Sequence, residues 1–294
     1  MLSLEQVKML VLSAELGSFS ACARRMGKVQ SAVSHGISSL EIDLGVELFD
    51  RSSRSPKLTA AGERLLRSAK TLLSQSDELE RIADAIQRKE EGVLTIAIDD
   101  GLFIPEMSNL LPQLANKFPF LQLDLLTLAS TDISHEVANG DVDLGIMFSE
   151  IEELKQVDFC YVGSVDYIAV CHPDFALASH PVISASDLVP YRQVAIRGRL
   201  KQESQSLISM SPKVWWCSSH HSALQLVQQK VGWAYLPEFL VETLIASGEL
   251  HHLQVAFDYK PWSVPIDLVF KKGGPHGPAY QWLFDEIKAM YAKQ

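Results

Sequence analysis

The sequence predicts an α/β protein carrying a separate helical unit at its amino-terminal end. Three observations lead there. Residues 1–58 read as short helices separated by glycines, and residues 59–90 as one long helix. From Gly92 onward strand-like and helix-like segments alternate, the pattern of an α/β domain with mainly parallel strands. The third observation is charge. Residues 1–91 hold 13 Lys+Arg and 13 Asp+Glu, so the whole formal charge of −10 belongs to residues 92–294. Two parts so different in charge face different partners.

In order along the chain, Leu4, Val7, Met9, Leu10, Val11 and Ala14 predict a first helix that Gly17 ends. Ser18-Phe19-Ser20 offers an N-cap for a second, over 21–26. Gly27 and Lys28 turn the chain into a third, from about 30 to 44, with Gly45 at the position where a left-handed cap suits glycine. The segment 51–57, basic and containing Pro56, reads as an exposed loop or wing. Thr59 caps the long helix. Its seam, Leu65, Ala69, Leu72, Ser76, Leu79, Ala83 and Ile86, keeps a strict 4-3 spacing, the a/d pattern of a coiled coil. An ordinary amphipathic helix on its own domain is the alternative, but nothing nearby in sequence covers so long a stripe.

Strands are expected at 93–98, 121–128, 143–148, 165–171, 193–196, 214–217 and 266–270. Helices are expected near 105–117, 132–139, 219–230, 238–247 and 278–291. The composition, 47% hydrophobic and 21% charged, excludes a disordered or collagenous chain. No apolar run approaches the ~18–20 residues of a membrane span. The first six residues lack the basic and then apolar regions of a signal peptide. Cys22, Cys160, Cys171 and Cys217 are scattered, without metal-ligand spacing. The expectation is a reduced, cytoplasmic protein with no membrane partner, its thiols serving as small apolar side chains.

The third helix carries the chemistry. Val33, Ile37, Leu40 and Leu44 form one narrow apolar stripe. Opposite lie Ser31, His35 and Ser38, with Ser34 on the flank and Gln30 near the start, and no carboxylate before Glu41. Small hydroxyls, an amide and an imidazole approach phosphates closely and offer donors and acceptors to base edges in a major groove. Two helices joined by a tight glycine turn, the second with a core stripe and a polar face, form a helix-turn-helix. Arg24, Arg25 and Lys28, then Arg51, Arg54 and Lys57, supply positive flanks. The expected DNA contacts are Ser20, Gln30, Ser31, Ser34, His35, Ser38, Arg51, Arg54 and Lys57. Small three-helix units also bind proteins, so the pattern alone leaves that reading open.

The run Gly17-Ser18-Phe19-Ser20-Ala21-Cys22-Ala23-Arg24-Arg25-Met26, with Gln30 to Ser34, Ile37, Leu40-Glu41, Leu44-Gly45, Leu48-Phe49, Arg51, Leu58-Thr59 and Gly62, resembles the LysR-type transcriptional regulators. Cys22, Met26 and Val29 depart from the usual alanine, leucine and serine or threonine. None of them removes a DNA-contacting group. The likeness continues more loosely through Leu111-Pro112, Leu114, Phe118-Pro119, residues 140–144 and residues 232–237. Lys230 stands where the family usually has glycine.

The resemblance implies a winged helix-turn-helix over 1–58, a dimerising linker helix over 59–90 and an effector-binding regulatory domain over 91–294. That domain would resemble type 2 periplasmic binding proteins, with subdomain I at about 91–162 and 266–294 and subdomain II at about 163–265. The partners implied are double-stranded promoter DNA, a small-molecule effector, a second copy in a homodimer or homotetramer, and RNA polymerase if the protein activates. No catalytic residue, cofactor or metal is implied.

The expected effector lining is Asp99, Asp100, Gly101, Ser130, Thr131, Met147 and Phe148 from the first subdomain, facing Arg197, Ser218, Ser219 and His220 from the second. Asp99 and Asp100 would either cap their own helix, select a neutral or cationic ligand, or pair with Arg197 or Arg199. Adjacent histidines such as His220-His221 diverge by about 100° on a helix and rarely chelate one metal. On a strand Trp215 and Trp216 point to opposite faces, one to the core and the other toward the cleft. There is no G-x-S-x-G, P-loop or G-x-G-x-x-G motif, so an enzyme using the α/β part alone leaves residues 1–91 unexplained.

Overall fold

The computed structural model describes residues 2–52, 56–150, 156–199, 209–274 and 276–291. The chain forms two compact units, Met1–Arg88 and Lys89–Gln294.

In the first unit, helix α1 is Leu4–Leu16, α2 is Phe19–Met26 and α3 is Gln30–Leu44. Each begins and ends where local chemistry dictates. Ser3 and Gln6 form a capping box on α1, the Ser18 hydroxyl caps α2, and Gly17, Gly27 and Gly45 close the three helices in the left-handed conformation. Val7, Leu10, Val33, Ile37 and Leu40 bury together with Leu48 and Phe49. Leu44, expected on the same stripe, is exposed at the helix end, because Gly45 turns the chain before another layer covers it. Two short strands, β1 (Phe49–Asp50) and β2 (Lys57–Leu58), pair antiparallel as the base of a wing. The Thr59 hydroxyl accepts from the Gly62 N–H to start α4, Ala60–Gln87. Leu65, Leu66, Ala69 and Leu73 of α4 join the core. Further along the predicted seam the pattern changes, and Leu79 and Ile86 are 68% and 69% exposed.

The second unit contains the mixed sheet. Strands β3 (Val93–Ile98), β4 (Gln122–Thr127) and β5 (Leu144–Phe148) are parallel, and α5 (Pro105–Lys117) and α6 (Ser130–Asn139) connect them. The expectation of mainly parallel strands fails for the long strands by which the chain leaves the first lobe and returns. The chain leaves this first lobe along β6 (Val157–Cys171) and returns along β11 (Trp262–Lys271). Two strands that cross in opposite directions pair antiparallel, and they do so from Trp262↔Tyr167 to Lys271↔Val157. Strand β11 also pairs antiparallel with β5.

The far end of β6 carries β9 (Ala234–Pro237) and β10 (His251–His252), both antiparallel. The second lobe adds α7 (Ala185–Leu188), a parallel pair β7 (Gln193–Ile196) and β8 (Val214–Cys217), α8 (His220–Gln228) and α9 (Glu238–Ala246). Helix α10, Pro278–Tyr291, returns to the first lobe, where the Glu91 carboxylate accepts from the Ala279 and Tyr280 N–H groups. The β11 strand is longer than expected because Pro265, normally a strand breaker, sits beside a bulge at Ile266/Asp267.

The Lys230 position explains the family's glycine. Its φ is +62°, a left-handed conformation that costs a side-chain-bearing residue roughly 1 kcal/mol or more. Its ammonium pairs with Asp174 at 2.6 Å, but both groups are solvated, and such pairs contribute little. Lys230→Gly should therefore raise the melting temperature despite losing the pair, by the equivalent of roughly 1 kcal/mol, while Lys230→Ala should not. Thermal unfolding of the two variants checks this, and a lower melting temperature for the glycine variant counts against the strain.

Candidate nucleic-acid interface and ligand cleft

The solvent side of α3 carries Gln30, Ser31 and His35 exposed, with Ser34 and Ser38 half-buried. Ser20 at the start of α2 donates to Gln30 Oε1 at 3.0 Å, so one DNA-contact candidate orients another. Gly36 lets α1 approach closely, since a Cβ there would lie 2.4 Å from Met9 Sδ. Lys57 is exposed on the wing, and Arg54 lies outside the described residues.

Arg51 is not a free cation. Its guanidinium donates to Glu41 Oε2 at 2.7 Å and to Ser38 Oγ at 2.9 Å, and lies 5.9 Å from the centre of the Phe19 ring. The other oxygen of Glu41 accepts from the Leu48 and Phe49 N–H groups at 2.8 and 3.1 Å. One carboxylate thus holds the start of the wing and neutralises part of its charge. Sequence reasoning missed this, treating Glu41 only as the end of the acid-free face.

At the cleft, the carboxyl ends of β3 and β5 and the start of α6 bring Asp99, Asp100, Gly101, Ser130, Thr131 and Phe148 together, as parallel strands commonly do for a ligand. Asp99 Oδ2 accepts from Ser130 N–H and Oγ–H at 2.8 and 2.7 Å, and its Oδ1 accepts from Gly101 N–H at 3.0 Å. The Ser130 hydroxyl in turn accepts from the Phe148 N–H at 2.9 Å. Asp99 therefore caps its own 3₁₀ turn, Asp100–Leu102. Asp100 does not cap its own helix but reaches the start of α8. Neither pairs with Arg197 or Arg199. Their cation is His220, 1% exposed, whose Nδ1 lies 3.0 Å from both carboxylates. His220 Nε2 is 2.8 Å from the hydroxyl of Tyr167, a cleft residue that the sequence did not reveal because β6 is remote from it in the chain.

Burial disfavours the charged imidazole, but the fields of Asp99 and Asp100 and their hydrogen bonds overcome it and push His220 up to about 9. Asp100 is also desolvated, yet the bonds and charge from His220 and the two backbone N–H groups hold it below the usual carboxylate range. Burial and the same carboxylates raise Tyr167 well above its ordinary value.

Among the described residues, Asp99, Asp100 and His220 are the acids and imidazoles gathered closely enough for a metal ion. Both Asp100 oxygens and both Asp99 oxygens already accept hydrogen bonds, which makes the cluster a proton-bridged one. Thr131 and Arg197 line the adjoining cavity with Ser130, Phe148 and Glu150. Its volume is about 10 Å³, enough for a single water. The Thr131 hydroxyl is buried there without a hydrogen-bond partner.

Three expected lining residues stand apart. Met147 is fully buried on the opposite side of β5, among Ala97, Ile133 and Val137, because adjacent strand residues face opposite ways. Ser218 is exposed beyond the end of β8, and Ser219 spends its hydroxyl capping α8. Neither tryptophan is core. Arg192 lies over the exposed Trp215 at 4.4 Å and Arg197 over the half-buried Trp216 at 4.9 Å. The described cysteines are all unbridged, and burial pushes Cys171 up to about 12 and raises Cys217, so both stay thiols.

The family description "Bacterial regulatory helix-turn-helix protein, lysR family" matches residues 4–63, and "LysR substrate binding domain" matches residues 87–292. The chain is 31% identical over 286 residues to the HTH-type transcriptional regulator AceR of Acinetobacter baumannii, covering 97% of this chain and 96% of that protein. Its fold is similar to full-length OxyR from Pseudomonas aeruginosa, with TM-score 0.55, 19% identity, and coverage of 98% of this chain and 100% of that one. It is also similar to full-length CbnR solved in complex with its target DNA, with TM-score 0.51, 19% identity, and coverage of 99% and 100%.

Two outcomes follow from these geometries. Glu41→Ala removes the acceptor of two buried N–H groups and should destabilise the first unit by about 1–3 kcal/mol in denaturant titration; unchanged stability would show the wing needs no such bracket. His220 is raised above its ordinary 6.5, so its contribution is fully present below pH 6.5 and disappears as pH rises through about 9. The unfolding free energy of the wild type should fall across that window, and that of His220→Gln should stay flatter. Matching slopes for the two proteins would contradict a charged His220.

Proposed function

The chain belongs to the LysR family of transcriptional regulators, uniting a helix-turn-helix with a substrate-binding domain, and from that membership we propose how its residues divide the work. The single observation that carries the reading is the face of α3. It is solvent-facing, free of carboxylates before Glu41, and mounted on a core of Val33, Ile37 and Leu40. We assign base-edge contacts to Gln30, Ser31, Ser34 and His35, and phosphate contacts to Ser20, Ser38, Lys57 and Arg54. Arg51 acts less as a free charge than as the strut joining wing to helix.

The reading extends to assembly. The exposed Leu79 and Ile86 at heptad spacing support a homodimer through α4, and the α/β unit supports an effector in the cleft at Asp99, Ser130, Thr131, Phe148, Arg197 and His220. Residues 59–90 would serve as linker between a DNA-binding part at 1–58 and a regulatory part at 91–294. Ligand binding would favour one arrangement of the regulatory domains and reset the spacing of the reading heads and the bend of the DNA. Among the described residues no helix is long and apolar enough to cross a membrane. A cytoplasmic location, and RNA polymerase as a partner at activated promoters, complete the proposal.

Titration with duplexes carrying an inverted repeat tests it. Affinity should fall steeply with salt, by the release of counterions from neutralised phosphates. Ser34→Ala or His35→Ala should lose about 1–3 kcal/mol of discrimination between matched and mismatched sites while leaving nonspecific affinity nearly intact. Leu79→Asp should leave the fold intact, shift sedimentation toward the monomer, and lower affinity for the repeat more than for a half-site. Equal binding of all duplexes by every variant would refute the reading.

A further inference from the structure

We infer that Asp100 is a built-in substitute for a ligand carboxylate, seated on the start of α8 so that the two lobes of the cleft are clasped shut without any effector. Asp100 belongs to the turn after β3 in the first lobe, whereas His220 and His221 begin α8 in the second. Its Oδ1 accepts from the His220 N–H at 2.9 Å and lies 3.0 Å from His220 Nδ1, and its Oδ2 accepts from the His221 N–H at 2.9 Å. Two successive N–H groups at a helix start, beside a buried imidazolium, form the donor set that holds an anion. The next N–H in the turn, that of Ser222, is taken by the Ser219 hydroxyl. No donor in that turn remains for a second anion.

Two glycines build the closure into the sequence. A Cβ on Gly101 would lie 2.7 Å from His220 Nδ1, and one on Gly198 would lie 2.3 Å from Thr131 Oγ1 and 2.6 Å from Asp132 Oδ1. They stand on opposite lobes, and each admits side chains of the other. Arg199 adds a second tie. Its N–H donates to both Asp132 oxygens at 3.0 and 2.9 Å, and its guanidinium pairs with Glu136. The groups facing His220 are Asp99, Asp100, Phe148 and Tyr167, with Glu150 and Arg197 lining the same cavity.

The space left inside is no larger than about one water, so an effector occupies the cleft only after the clasp opens, and release of Asp100 exposes the anion cradle on α8. That regulatory consequence rests on the cleft being the effector site; the clasp itself does not.

Hydrogen exchange of the His220 and His221 amides in the full chain tests the clasp directly. In the ligand-free wild type both should be strongly protected. Asp100→Ala should speed their exchange by roughly tenfold or more, the factor expected for losing a charged acceptor. Sodium acetate at tenths-molar concentration, but not the same concentration of sodium chloride beyond its general salt effect, should restore protection in Asp100→Ala and leave the wild type unchanged. Gly198→Ala touches neither Asp100 nor His220, yet should speed the same two amides by wedging the lobes apart. Should Asp100→Ala not fold, Asp100→Asn keeps the shape with one acceptor fewer, and one of the two amides should become fast. Unchanged exchange in Asp100→Ala, or loss of protection that acetate does not reverse, overturns the clasp. Failure of metabolites to bind a chain whose clasp behaves as described would overturn the effector reading alone.

Discussion

The antiparallel pairing of β6 with β11 is the constraint on which the regulatory unit depends. It joins residues about a hundred positions apart, with β11 also paired to β5 of the first lobe and β6 carrying β9 and β10 of the second. The ladder fixes the lobes' relative position along the strand direction. It thereby fixes which residues meet where the strands of the first lobe end and α8 begins. Tyr167 rides on β6, Phe148 on β5 beside β11, and the His220 ring packs against both at 5.8 and 5.7 Å. A buried cation among two carboxylates is costly to assemble and strongly destabilising to break. It persists because the surrounding backbone holds every partner in place.

What was legible in the sequence was whatever local chemistry determines. Glycine caps, Ser18 and Thr59, the stripe of Val33, Ile37 and Leu40, and the seven-residue repeat of α4 all act within a few residues of themselves. The acids and small residues after β3, and those at the start of α6, were recognisable as cleft material for the same reason. What escaped was set by distance along the chain. Asp100 bonds to residues 120 and 121 positions away, and Arg199 to Asp132 across 67, and no periodicity announces such pairs. The direction of β11 is likewise set by distant partners, and no local pattern carries its strand back through Pro265 to Trp262. For Met147 the local pattern predicts the strand but not which of its two faces the side chain takes.

The acidic character of the chain, an obstacle to DNA binding when taken as one number, resolves into separate tasks. In the first unit Glu41 is structural, tying Arg51 to α3 and satisfying two backbone donors of the wing. In the second, Asp99, Asp100, Asp132 and Glu136 face the cleft and are spent on His220, Arg199 and helix starts. These five carboxylates are thus engaged internally. The face of α3 proposed to read DNA presents hydroxyls, an amide and an imidazole.

The exposed apolar edge of α4 has a cost for the cell. A lone chain presents Leu72, Leu79, Ile82 and Ile86 to water, and a stripe of that kind is also a surface for misassociation and for chaperones and proteases. If that edge pairs with a second copy as proposed, mass action couples persistence to copy number, because only paired chains hide it. Scarce protomers would then be the vulnerable ones, and partnered protomers the survivors. A helix that sets the distance between reading heads would in this way also police how many chains are worth keeping.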